Sequence, residues 1–183
     1  KYIINSNKIL DFTFKPSFNH INQDFSEINN TAFETFYNEN RLFFLEQSAI
    51  FEMPVYLFYS RRLGKDPIQY KSENDNGEIE YIELSSKLNA AIKFTSKNFS
   101  GLSYSILAAE SEIYNYNDNA YYAVSRIKKE SQKNKTYIGF LSTNYKFKEY
   151  NSIVLGIDGI LDIPDYGIEF SYQYAQSKYL DEL

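Results

Sequence analysis

Gly167-Ile168-Glu169-Phe170-Ser171-Tyr172-Gln173-Tyr174-Ala175 alternates without a break. Ile168, Phe170, Tyr172 and Tyr174 fall on one side, with Gly167, Glu169, Ser171 and Gln173 on the other. Successive side chains of a strand point to opposite faces of its sheet, so the stretch predicts a strand with one apolar and one polar face. The pattern extends upstream. Residues 88–95 set Leu88, Ala90, Ile92 and Phe94 against Asn89, Ala91, Lys93 and Thr95. Residues 102–109 set Leu102, Tyr104, Ile106 and Ala108 against Ser103 and Ser105, and Ile153, Leu155 and Ile157 oppose Gly156 and Asp158. Residues 121–128 and 136–143 have strand composition with blurred alternation, and 9–14 and 55–60 read as two more strands, eight in all.

Short connections rich in Asn, Asp, Ser, Gly or Pro separate them, at 97–101, 115–119, 129–135, 146–151 and 162–166. Those residues tolerate turn geometry. Strands joined by short polar links predict an all-β fold, an antiparallel up-and-down meander rather than a βαβ array. Such a meander can close into a barrel. Residues 31–37 read as a helical turn and 69–77 as the longest polar loop.

The 183 residues suffice for one domain with a real core. A formal net charge of −5 argues against nucleic acid as a partner, because phosphate binding needs a basic face. Cysteine is absent, which removes disulfides and thiolate metal sites. Aromatic content is the unusual quantity: 18 tyrosines and 15 phenylalanines, with no tryptophan. Tyrosine joins an apolar ring to a polar tip and suits both sheets and membrane–water interfaces. Tyr114, Tyr116, Tyr121, Tyr145, Tyr150, Tyr166 and Tyr179 gather near the expected strand ends. No apolar run is long enough for a membrane-spanning helix, although a barrel strand needs only about 9–11 residues. Lys1-Tyr2-Ile3-Ile4-Asn5 is too short an apolar stretch for a signal peptide.

Three of the four arginines, Arg41, Arg61 and Arg62, flank the apolar block Leu42-Phe43-Phe44-Leu45. Arginine keeps its charge and offers a planar fork of donors, so it suits partly buried pairing with carboxylates. Glu34, Glu39, Glu46 and Glu52 are the candidate partners. Three readings stand open. An ion network formed by Glu39, Arg41, Glu46, Arg61 and Arg62 pins residues 42–45 against a barrel wall. Alternatively the group makes an anion or sugar site in the lumen, or only surface pairs worth about 0–1 kcal/mol each. The first is preferred, because the apolar neighbours need burial.

Catalytic constellations are scarce. His20 is the only histidine, which leaves Ser-His-Asp, Cys-His and zinc arrangements without support. Glu110 with Glu112, Glu78 with Glu80, and Asp158 with Asp162 offer carboxylate pairs, of which Glu110 and Glu112 share a strand face as a glycosidase would require. Acidic residues at a strand end more often meet solvent. Asp75-Asn76-Gly77-Glu78 lacks the spacing of a calcium loop. The expectation is no catalytic residue, no cofactor and no metal.

A longer window carries a family resemblance. Asn30-Thr31-Ala32-Phe33-Glu34-Thr35-Phe36-Tyr37-Asn38-Glu39-Asn40-Arg41-Leu42-Phe43-Phe44-Leu45-Glu46, then Phe51, then Leu57-Phe58-Tyr59-Ser60-Arg61-Arg62-Leu63-Gly64, resembles the signature of an uncharacterised bacterial outer-membrane β-barrel domain. In that family the barrel usually follows a domain similar to family-nine carbohydrate-binding modules. Lys15-Pro16-Ser17-Phe18 resembles the family's Asn-Pro-Asp-Phe, departing at Lys15 and Ser17, while Leu42 and Gln47 replace an expected Pro and Gly. Ala123-Val124-Ser125-Arg126-Ile127 and Gly156-Ile157-Asp158 are weaker echoes.

The resemblance implies that residues 1–183 form one barrel domain or a barrel fragment. Residues 1–64 would be a motif-bearing opening region with an inward-folded segment, and 78–179 the regular meander. The ending Tyr179-Leu180-Asp181-Glu182-Leu183, without a closing aromatic, implies the first strands of a larger barrel. Leu88, Ile92, Leu102, Ile106, Ile153, Leu155, Ile168 and Phe170 would then face lipid, and Asn89, Lys93, Ser103, Ser105, Asp158, Glu169 and Gln173 the lumen. Arginine at Ile106 should block assembly, while arginine at Ser105 should be accepted. The expected partners are the outer-membrane bilayer and a glycan held by an adjoining domain, and the expected activity is non-enzymatic. A soluble, secreted β-sandwich binding carbohydrate through its tyrosines is the competing class. A glycoside hydrolase using Glu110 or Glu112 is a weaker third.

Overall fold

The computed structural model describes residues 1–16, 38–63, 70–73, 79–82, 87–113 and 118–181. Eight antiparallel strands form one meander sheet: β1 (Tyr2–Asn5), β2 (Lys8–Phe14), then, after the separate hairpin of β3 (Tyr70–Glu73) and β4 (Ile79–Ile82), β5 (Lys87–Lys97), β6 (Leu102–Ile113), β7 (Asp118–Glu130), β8 (Tyr137–Phe147), β9 (Tyr150–Ile163) and β10 (Ile168–Asp181). Helix is limited to single turns at Leu42–Leu45, Ser48–Phe51, Ser60–Arg62 and Pro164–Tyr166. The sheet is not closed, and β1 and β10 are its two edges.

Turn chemistry sets the meander. Between β5 and β6 the chain turns through Gly101 at φ +83°, where a side chain would strike the backbone oxygen of Glu130. That close approach lets Glu130 N–H donate to Gly101 O at 2.9 Å and ties the turn to the end of β7. Between β9 and β10, Pro164 opens a single helical turn that Gly167 closes at φ +62°.

Two faces of different character result. On the open face, Phe12, Ile92, Ile106, Ile127, Phe140, Leu155, Ile157 and Phe170 are exposed. On the opposite face Lys93, Thr95, Ser103, Ser105, Ser111, Arg126 and Asp158 are buried beside Leu107, Val124 and Leu141. The open face is the unusual one, because a water-soluble sheet covers its large apolar side chains, while the covered face mixes apolar and polar groups. Blurred alternation in β7 and β8 has the same cause, since both faces mix types: Val124 and Arg126 are covered while Tyr121 and Ile127 are exposed.

Several expectations need correction. Leu88 is buried on the covered side, because the β5–β6 register shifts between Leu88 and Ala90. That bulge places two residues against one. Asn89 consequently lies with Glu110 and Asn119 on the open face, donating to their side-chain oxygens at 3.2 and 3.3 Å. Residues 55–60 are not a strand. They pass through irregular backbone into the turn Ser60–Arg62, and Tyr2–Asn5 supplies the eighth strand instead. Alternation over six residues could not show that they cross a sheet rather than join it. Part of the loop expected at 69–77 is the strand Tyr70–Glu73. Ser105 has no exposure and is hydrogen-bonded to Thr95 Oγ1 and Phe94 O, so it has no room for arginine. The helical turn expected at 31–37, His20, Tyr114 and Tyr116 lie outside the described residues. Tyr121, Tyr150, Tyr166 and Tyr179 are exposed, whereas Tyr145 stacks on Tyr122.

Candidate functional site

Residues 38–63 form a strap across the covered face. Irregular backbone dominates it, and its apolar side chains Phe44, Phe51, Met53 and Leu63 share one buried cluster with Leu88, Ala91, Leu107, Ala109, Val124 and Leu141 of the sheet. Each such side chain contributes about 1.5–3 kcal/mol when fully buried.

Among the described residues, polar attachment of the strap to β5, β7 and β10 runs from sheet side chains to strap backbone. Lys93 of β5 donates to Phe43 O at 2.5 Å and to Glu46 O at 2.6 Å. Its ammonium also lies 4.0 Å from Asp11 Oδ2 and 4.9 Å from the Phe43 ring centre. Arg126 of β7 donates through Nε to Ile50 O at 3.2 Å. Gln173 of β10 accepts from Val55 N–H at 2.7 Å and donates to Val55 O at 2.9 Å, as one rung of a ladder would.

Arg126 is the better-built centre. Its two terminal nitrogens donate to the two carboxylate oxygens of Asp158 at 2.5 and 2.8 Å, with both side chains fully buried. Tyr137 donates its hydroxyl to Asp158 Oδ2 at 3.1 Å. A bidentate fork with a further donor compensates the large cost of taking two charges out of water.

A second cation closes the strap on itself. Arg41 is buried; it donates to both carboxylate oxygens of Glu39 at 2.8 and 2.7 Å, to Ser60 O at 2.7 Å and to Leu63 O at 2.8 Å. Ser60 Oγ donates to Glu39 Oε2 at 2.6 Å. Both ends of the strap meet at this clasp, with Arg41 stacked 4.1 Å above the Phe44 ring. Burial alone would raise the Glu39 carboxyl, but the hydrogen bonds and charge of Arg41, helped by Ser60, hold it below the ordinary glutamate range.

The structure thus brings Glu39 and Arg41 together. Glu46 turns away to Lys1 at 2.5 Å, and Arg61 and Arg62 lie in the single turn beside Ser60. The groups that fix the strap to the sheet are Lys93, Arg126 and Gln173, with Asp158 holding Arg126 in place. Their face was legible for Lys93, Asp158 and Gln173, but not their role. Arg126 falls in the family echo at 123–127, and its further signal is that it is the only arginine outside residues 38–63 in a chain that otherwise employs lysine.

Neither carboxylate pair within the described residues forms a catalytic cleft. Glu110 is held by Asn89 and Asn119 on the open face, and Asp158 is committed to Arg126. Among the described residues no cluster of three His, Cys, Asp or Glu side chains could hold a metal ion.

A family model described as a domain of unknown function (DUF5916) matches residues 1–119. The chain belongs to that family. The matched span contains the strap and Lys93, while Arg126, Asp158 and Gln173 lie beyond it. The family's description agrees with the expectation of an uncharacterised domain and does not mention a barrel or a sugar-binding neighbour. Neither the curated proteins nor the solved structures return a match.

Proposed function

We propose that this chain forms part of the wall of an outer-membrane β-barrel, with the strap on the lumen side and no enzymatic role. The supporting observation is the exposed apolar face, with charged and hydroxyl side chains buried on the other side of the same strands. Ile106 is 55% exposed and its neighbour Ser105 is 0% exposed, and the same holds for Ile157 at 44% beside Asp158 at 0%. Soluble monomers rarely leave an apolar patch larger than about 300–600 Å² uncovered. Among the described residues nothing covers this face across β2 and β5–β10. Hydrocarbon is the solvent that rewards such a surface.

The strap supports the same reading. Non-helical backbone is tolerated at membrane depth only where protein or a water-filled cavity surrounds it, and residues 38–63 lie on the covered side of the sheet, away from the exposed apolar face. The glycan link expected from the family resemblance belongs to an adjoining domain and gains nothing from these residues.

The test is extraction and gel mobility of the protein expressed in a Gram-negative host. Recovery only with detergent, together with different migration of heated and unheated samples, is the expected result. A monodisperse protein in detergent-free buffer would favour the soluble sandwich and end the barrel reading.

A further inference from the structure

We infer that the strap is a built-in plug, which closes a hydrophilic path along the covered face and opens it when it leaves. The inference rests on the barrel reading and adds to it a gate for small hydrophilic solutes.

Three observations carry it. The sheet beneath the strap is complete without it: β5 to β9 pair continuously, and among the described residues no strap segment joins the ladder. Part of the polar layer under the strap is paired within the sheet and would keep those bonds if the strap left. Arg126 pairs with Asp158, Tyr137 donates to Asp158, and Thr95 bonds Ser105. A layer meant to stay permanently dry would carry apolar residues there, since a buried pair seldom outperforms them. The charged and hydroxyl groups set among Leu107, Val124 and Leu141 are instead ready to meet water, with Lys93 and Arg126 Nε exchanging strap carbonyls for it. Lastly, the strap is self-contained. The Glu39–Arg41–Ser60–Leu63 clasp ties its two ends together, and Phe51 packs on Phe58 within it.

The solute class follows from the exposed lining. Removing the strap uncovers Leu107, Val124 and Leu141 together with Thr95, Ser105 and two cations, each with a carboxylate beside it: Lys93 with Asp11 and Arg126 with Asp158. Charges that cancel in pairs favour neither ion sign, so the path suits small hydrophilic solutes and conducts both ions of a simple salt.

Conductance of the full-length protein in planar bilayers, in potassium chloride, tests the gate. Gln173→Leu removes both hydrogen bonds to Val55 at a half-buried position of β10, and Lys93→Met removes two more. Either change should raise mean conductance about tenfold or more over the parent. Leu57→Cys with Gly156→Cys, added to Gln173→Leu, supplies the lock, because a β-carbon at Gly156 would touch the Leu57 side chain and the chain has no other cysteine. Oxidation should return conductance to the parent level and reductant should restore it. A Gln173→Leu protein that inserts with normal heat-dependent mobility yet conducts no more than the parent overturns the plug and leaves the barrel wall intact. Equal conductance of the oxidised and reduced lock does the same. Failure of the parent itself to insert removes the barrel reading, and the plug with it.

Discussion

Arg126 fills the space that Gly139 leaves: a β-carbon at Gly139 would sit 2.6 Å from both terminal nitrogens of the guanidinium. Gly139 stands directly opposite Asp158 across the β8–β9 ladder, so the missing side chain is what allows Arg126 to lie flat against the sheet and reach that carboxylate. Gly139→Val should therefore eject the guanidinium and strand Asp158 without its partner. Breaking a buried pair from one side costs about 3–5 kcal/mol. Urea unfolding should show a loss of that size for Gly139→Val and for Arg126→Met. The double variant should lose much less than their sum, because both act on one contact. Additive losses would mean that Gly139 serves something other than the arginine.

Facing residues give the sharpest test of what surrounds the sheet. Phe170 is 62% exposed on the open face, and the next residue, Ser171, is exposed on the other. Arginine on a lipid face costs about 2–4 kcal/mol at mid-depth and little in a lumen. Ile106→Arg should thus reduce membrane assembly strongly, judged by the heat-resistant fraction on a gel, while Ser171→Arg should assemble normally. Ser105 is no longer a fair lumen control, since the strap buries it. Equal assembly of Ile106→Arg and Ser171→Arg would count against lipid.

How much of this was legible beforehand depended on range. Alternation is local, so the faces of β6, β9 and β10 could be read directly from Ile106 against Ser105, Ile157 against Asp158 and Phe170 against Ser171. A bulge shifts the count by one residue, and nothing in Leu88-Asn89-Ala90 announces it; the pairing with Ser111 and Glu110 decides. The site was harder for the same reason. Arg41 and Glu39 lie two residues apart and could be paired on sight. Lys93 with Phe43 O and Arg126 with Asp158 join residues 50 and 32 positions apart, the former through a backbone oxygen that leaves no mark in a sequence. Residues 55–60 misled because an apolar run fits a strap over a sheet as well as a strand within one.

Lys93 holds the first half of the strap through two carbonyl oxygens, so its loss should free that half first. Lys93→Met keeps the length and apolar stem of the side chain while leaving Phe43 O, Glu46 O and Asp11 without their cation. An orphaned buried acceptor costs about 1–3 kcal/mol. Limited trypsin digestion of the detergent-solubilised protein should then cut after Arg41, which is 6% exposed in the parent, while the strands stay resistant. An unchanged digestion pattern would show that the clasp, Arg126, Gln173 and apolar packing hold this half of the strap without Lys93.

Acid should open the clasp through Glu39. Its carboxyl is held below the ordinary glutamate value of about 4.3, chiefly by Arg41 against the opposing effect of burial. A depressed acid contributes stability that is fully present above the ordinary value and is lost as pH falls through the lower, folded value. Glu39→Gln removes the charge at every pH. At neutral pH the variant should therefore be less stable than the parent by urea midpoint. Parent stability should fall as the solution is acidified past the glutamate range, and the gap between the two proteins should close there. A gap that persists unchanged in acid would mean that Glu39 acts by shape and hydrogen bonding alone, with no part for its charge in holding Arg41 against Ser60 and Leu63.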